Sequence, residues 1–75
     1  MTNQPNLKGV YKHSKSGKMY ELVGVALHTE TEETLVVYRP LYDCKHELFA
    51  RHYRMFFEEV VVDGMRRIRF EKISD

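Results

Sequence analysis

The stretch Val60-Val61-Val62-Asp63-Gly64-Met65-Arg66-Arg67-Ile68-Arg69-Phe70 decides the fold. Two runs containing strand-forming residues flank Asp-Gly, a pair that tolerates positive φ and so suits a two-residue primed turn. A tight β-hairpin is predicted. With Asp63 and Gly64 as its loop, Val62 faces Met65, Val60 faces Arg67, Glu58 faces Arg69 and Phe57 faces Phe70. Phe57, Val61, Ile68 and Phe70 then share a face expected to point inward. Glu58 opposite Arg69 predicts a cross-strand ion pair, worth roughly a few tenths of a kcal/mol when exposed.

Upstream, the same period of two recurs. Leu7 to His13 alternates, with Leu7, Gly9, Tyr11 and His13 on one side and Lys8, Val10 and Lys12 on the other. Ser16-Gly17 supplies a turn. Met19 to His28 is apolar in both phases, which predicts a strand covered on both faces or bending between two sheets, with Gly24 at a bend or bulge. Thr29 to Thr34 is polar throughout and reads as a hairpin connection. Leu35 to Tyr42 is a third strand broken by Pro40, which has no N–H to give a ladder and so belongs at an edge or a change of partner. From His46 to Phe57 the fourfold spacing of Leu48, His52 and Phe56, and of Phe49, Tyr53 and Phe57, predicts an amphipathic helix. Residues 1–6 are polar after Met1 and include Pro5, so they read as a flexible leader before a single domain over residues 7–73.

Size and charge limit the function. A chain of 75 residues holds one small core but no large enclosed active site. The net charge of +1 argues against a surface built throughout for polyanions. Cys44 is the single cysteine, so no internal disulfide forms, and the absence of an apolar signal core or membrane-length run points to a cytoplasmic protein with no membrane contact.

The ordered residues resemble a small bacterial family, domain of unknown function 1653. The resemblance runs from Gly9 to Phe70. It rests on Gly9-x-Tyr11-x-His13-x-Lys15, Tyr20, Gly24-Val25-Ala26-x-His28-Thr29-Glu30, Val36-Val37-Tyr38-Arg39 with Leu41-Tyr42, Phe49-Ala50-Arg51 with Met55-Phe56, and Arg69-Phe70. Two departures stand out. The family's Trp-hydrophobic-Arg-Pro reads Phe49-Ala50-Arg51-His52, and the turn Lys15-Ser16-Gly17 is one residue longer than the usual Lys-Gly. The resemblance implies a mainly β protein, a small SH3-like five-stranded barrel, with residues 47–51 a strand and 53–57 a short helical turn in place of the longer helix. It implies no activity.

Several constellations bear on chemistry. If the first two strands pair, His13, His28 and Glu30 form a candidate metal cluster; against it, the same side chains can hydrogen-bond to turn backbone. Cys44 with His46 lacks a third group to orient the imidazole, and Glu30, Glu32 and Glu33 lie in a solvated loop, so neither reads as catalytic. The glycines are scattered and form no phosphate loop. Arg51 either anchors a carboxylate or phosphate or ties down the following turn.

The expected function is a non-enzymatic binding module for a peptide or protein partner, without a cofactor. Its expected ligand-binding rim is Tyr11, His13, His28, Glu30, Tyr38 and Arg51. The alternative is a single-stranded RNA-binding module in which Lys8, Lys12, Lys15, Arg66, Arg67 and Arg69 meet phosphates and tyrosines stack on bases. A small metal enzyme around His13, His28 and Glu30 is the remote third. An exposed edge beside Pro40 leaves a monomer or a weak homodimer open.

Overall fold

The computed structural model describes residues 7–75; the expected leader over residues 1–6 lies outside the described residues. The elements are β1 (Gly9–His13), β2 (Met19–Leu27), β3 (Thr34–Pro40), β4 (Phe49–His52), α1 (Tyr53–Phe56), β5 (Glu59–Val62), β6 (Met65–Ile68) and β7 (Phe70–Ser74). Five strands form one antiparallel sheet in the order β4-β3-β2-β1-β7, and β5 pairs with β6 in a second, two-stranded sheet. The protein is mainly β with one helical turn. Among the described residues no ladder joins β4 to β7, so the pairings leave the sheet open where a closed barrel was expected.

The bend expected in β2 is a bulge. Leu22 pairs with Tyr38 and Gly24 with Val37, leaving Val23 as the extra residue. A one-residue insertion reverses which phase faces inward. Before the bulge Tyr20 and Leu22 face the core; beyond it Val25, opposite the fully buried Val36, is itself exposed, as are Val23 and Leu27. The expected cover on both faces of β2 is therefore missing: only the phase of Tyr20 and Leu22 is buried. Pro40 ends β3 past the last β4 partner, Phe49 opposite Tyr38, where no neighbouring strand asks for its N–H.

The core is aromatic: Tyr11, Tyr20, Leu22, Val36, Tyr38, Phe56 and Phe70 are buried. Phe56 and Phe70 stack with centroids 4.1 Å apart and planes 2° from parallel, while Tyr38 meets both rings edge-on at 5.1 and 5.3 Å. The tyrosine hydroxyls are satisfied. Tyr11 donates to the Leu7 carbonyl at 2.8 Å, Tyr20 shares a 2.8 Å bond with Tyr42, and Tyr38 accepts from Arg51 Nε at 3.3 Å. Burial raises the pKa of Tyr11 and, with the Tyr42 bond, that of Tyr20, so both phenols stay protonated.

The segment 46–57 follows the family resemblance, not its own periodicity. Four residues of helix cannot sustain themselves, and α1 has no side-chain cap; burial of Phe56 holds it in place. Leu48, at the expected apolar spacing, is exposed.

The Asp-Gly hairpin has the expected register, Val62 opposite Met65 and Val60 opposite Arg67, with both turn residues at positive φ (Asp63 53°, Gly64 77°). Arg69 and Glu58 form the expected pair, side chains 3.1 Å apart and Arg69 N–H donating to the Glu58 carbonyl at 2.8 Å. Its expected inward face does not exist. Val61 is 63% and Ile68 45% exposed. The chain bends at Arg69, so Phe70 leaves the hairpin to lie opposite His13 on β1, and Phe57 packs on Tyr11, Tyr53 and Phe56 instead. Arg69 braces that bend through Nε, which donates to the Met55 carbonyl at 2.9 Å.

Candidate functional site

β1 and β2 do pair, but their register parts the histidines. Lys12 lies opposite Met19, which places His13 at the start of β2, while His28 follows its other end. Nine residues of strand separate the two turns by roughly 30 Å. His13 therefore cannot share a ligand with His28 and Glu30, and among the described residues no three His, Cys, Asp or Glu side chains gather to hold a metal. The metal-enzyme reading loses its centre. His28 Nδ1 instead accepts the N–H groups of Glu30 (3.3 Å) and Thr31 (3.4 Å), and Glu30 is exposed. Cys44 and His46 are exposed, with His46 ring-to-ring against Phe49 at 6.4 Å. Glu32 is exposed at φ 63°, and Glu33 accepts the Thr31 hydroxyl at 3.1 Å.

The expected rim divides. Tyr11 is 3% exposed and belongs to the core on the side of Leu7 and Phe57, so it presents no ring to a partner. Tyr38 is equally buried, but its hydroxyl reaches Arg51. His13, Tyr38 and Arg51 do come together, around Phe70. The His13 ring stands edge-on to it at 4.8 Å and the Arg51 guanidinium carbon lies 5.6 Å from its centroid.

The residues proposed for nucleic acid are spread differently. Arg66, Arg67 and Arg69 each have a carboxylate within reach, Glu59 at 4.0 Å, Glu71 at 3.6 Å and Glu58 at 3.1 Å. Lys8, Lys12 and Lys15 are exposed on or beside β1. Tyr11, Tyr20 and Tyr38 keep their ring faces in the core, leaving Tyr53 as an exposed tyrosine.

Sequence reasoning missed one concavity. An open groove of about 690 Å³ is lined by Leu7, Val25, Glu33, Thr34, His52, Tyr53 and Arg54. Four separate stretches of chain contribute to it, brought together by the β2–β3–β4 ladder and by α1, so no local motif marks it. His52 Nδ1 lies 3.5 Å from Glu33 across the groove's polar side. Leu7, Val25 and Tyr53 give it an apolar side, and Arg54 has no carboxylate in ion-pair range among the described residues.

Fold and groove define a small antiparallel β protein, without a helix long and apolar enough to cross a membrane among its described residues. Residues 9–72 match the family model described as "Protein of unknown function (DUF1653)", and the chain belongs to that family. A crystal structure of a DUF1653 protein from Bordetella bronchiseptica is similar to it throughout, with a TM-score of 0.86 and 31% identity over 97% of this chain and 94% of the other. No curated protein matches the sequence.

Proposed function

We propose that the protein is a non-enzymatic binding module that takes a short extended segment of a partner protein, in the manner of an SH3-like domain working in the cytoplasm. The observation that carries this reading is the 690 Å³ groove, with apolar Leu7, Val25 and Tyr53 facing polar Glu33, His52 and Arg54. Such a mix suits a peptide, whose side chains alternate in character and whose backbone needs donors and acceptors. β4 supplies these. It is an edge of the main sheet, and its outer backbone groups pair with no strand among the described residues. The paired hairpin arginines and buried tyrosine faces favour this reading over single-stranded RNA.

The test is amide NMR of labelled protein with pooled short peptides and, separately, with mixed-sequence single-stranded RNA. Peptide-induced shifts at Val25, Thr34, His52, Tyr53 and Arg54, lost in Tyr53→Ala, are the expected result. Salt-sensitive shifts with RNA over Met65 to Arg69 and none in the groove would replace this reading with the nucleic-acid one.

A further inference from the structure

Four of the six arginines have a carboxylate partner; of the two without one among the described residues, Arg54 is exposed and Arg51 is half-buried. Arg39 lies 2.6 Å from Glu21, and the three hairpin arginines have the partners described above. Arg51 has none among the described residues, yet it is more enclosed than Arg39, Arg66 or Arg67. Its position is fixed all the same. Nε donates to the Tyr38 hydroxyl at 3.3 Å and the guanidinium lies over the Phe70 ring. Its two Nη groups have no protein acceptor among the described residues. A planar fork held in place with its donors unspent is what recognition of an anionic oxygen pair requires, since little side-chain freedom remains to be lost on binding.

The neighbouring side chains point to the same ligand. His13 Nδ1 accepts the Ser16 N–H at 3.2 Å, so the proton of the neutral ring sits on Nε2, which is a donor. Around His13 the elements contribute cations: Arg51 from β4, Arg69 from the bend before β7 and Lys15 from the β1–β2 turn. Burial first, then these three charges, hold His13 below its ordinary 6.5. Arg69 is already spent on Glu58 and the Met55 carbonyl. The uncompensated charge at the corner is that of Arg51 and Lys15.

We propose that the corner formed by Arg51 and His13 around Phe70, with Lys15 on the adjoining turn, is a binding site for a small oxyanion, a carboxylate or phosphate group. The Arg51 Nη fork is the anchor, His13 Nε2–H a neutral donor and Lys15 a mobile counter-charge. The site shares no residue with the groove and does not depend on it.

The experiment follows the His13 ring resonances by NMR against pH, in sodium phosphate, in sodium acetate and in sodium chloride at matched ionic strength. Chloride controls for screening, which by itself relieves the repulsion of the cations on His13. The expected result is a saturable shift of the His13 and Arg51 Nε signals. The His13 titration midpoint should lie about one pH unit higher in the binding anion than in chloride, because an adjacent negative charge favours the imidazolium. Acetate acting like phosphate assigns a carboxylate-type site, and phosphate alone assigns a phosphate site; both support the proposal. Lys15→Gln, on an exposed turn, should weaken binding several-fold with the fold untouched, and Arg51→Gln should abolish it. Identical midpoints in all three salts, or unchanged binding in Arg51→Gln, would overturn it.

Discussion

Phe70 is the side chain on which the molecule's parts meet. It stacks on Phe56, receives Tyr20 and Tyr38 edge-on, and supports both His13 and Arg51 on its outer side. Phe70→Ala removes a buried ring in contact with four strands and α1, at a cost of about 3–5 kcal/mol. Against a total of about 5–15 kcal/mol for a domain, that is a severe loss, to be measured as a fall in the urea midpoint. His13 makes a subtler prediction. Its folded pKa lies below the ordinary 6.5 it has when unfolded, so the unfolded chain binds the proton more readily. The stability contribution is fully present above 6.5 and is lost as the pH falls from there through the folded pKa, below which it levels off. Urea midpoints measured at successive pH values should show this decline in the native protein and a flatter profile in His13→Gln.

At the scale of elements, β1 is held between β2 and β7, and Gly9 is where that sandwiching is tightest. Its φ is +147°, a region reserved for glycine, and a Cβ there would stand 2.5 Å from the Ser74 carbonyl oxygen and 2.8 Å from Lys72 Cε. Gly9→Ala should therefore loosen the β1–β7 ladder, costing about 1–3 kcal/mol, with amide exchange accelerating in β7 before β2 and β3. What was legible in the sequence divides along the same line between local and distant causes. The register of the Asp63-Gly64 hairpin was readable because the turn chemistry that sets it lies within the hairpin. Its inward face was not, because the bend at Arg69 depends on Met55 and Glu58 and on the pull of Phe70 into another sheet. The irregularity at Gly24 was visible in β2, but its second apolar phase misled, since Val23, Val25 and Leu27 are exposed. In the same way the histidine cluster failed on strand length, while the joining of His13, Tyr38 and Arg51 came from three strands and a resemblance, not from spacing.

For the whole molecule the decisive feature is that the first and last described strands are neighbours. β1 cannot be covered on its outer edge until β7 is in place, and the core cannot close until Phe70 arrives with it. Such pairing across nearly the full chain carries the loop-closure cost of the fold, which local contacts in the β2–β3 hairpin do not repay alone. A small domain has little reserve, since it buries only about 60% of its unfolded surface. A chain shortened to end at Arg69 keeps β1 to β6 and every residue of the groove, yet loses the stacked partner of Phe56, the support under Arg51 and one whole edge of β1. It is expected to show no cooperative thermal transition and to lose the near-ultraviolet circular dichroism of its packed tyrosines. Removing Asp75 alone breaks only its exposed 2.8 Å pair with Lys72 and should leave both signals intact. A cooperative transition in the shorter chain would mean that the sheet is self-sufficient without β7 and Phe70, and that the clasp between the chain's ends does not hold the fold.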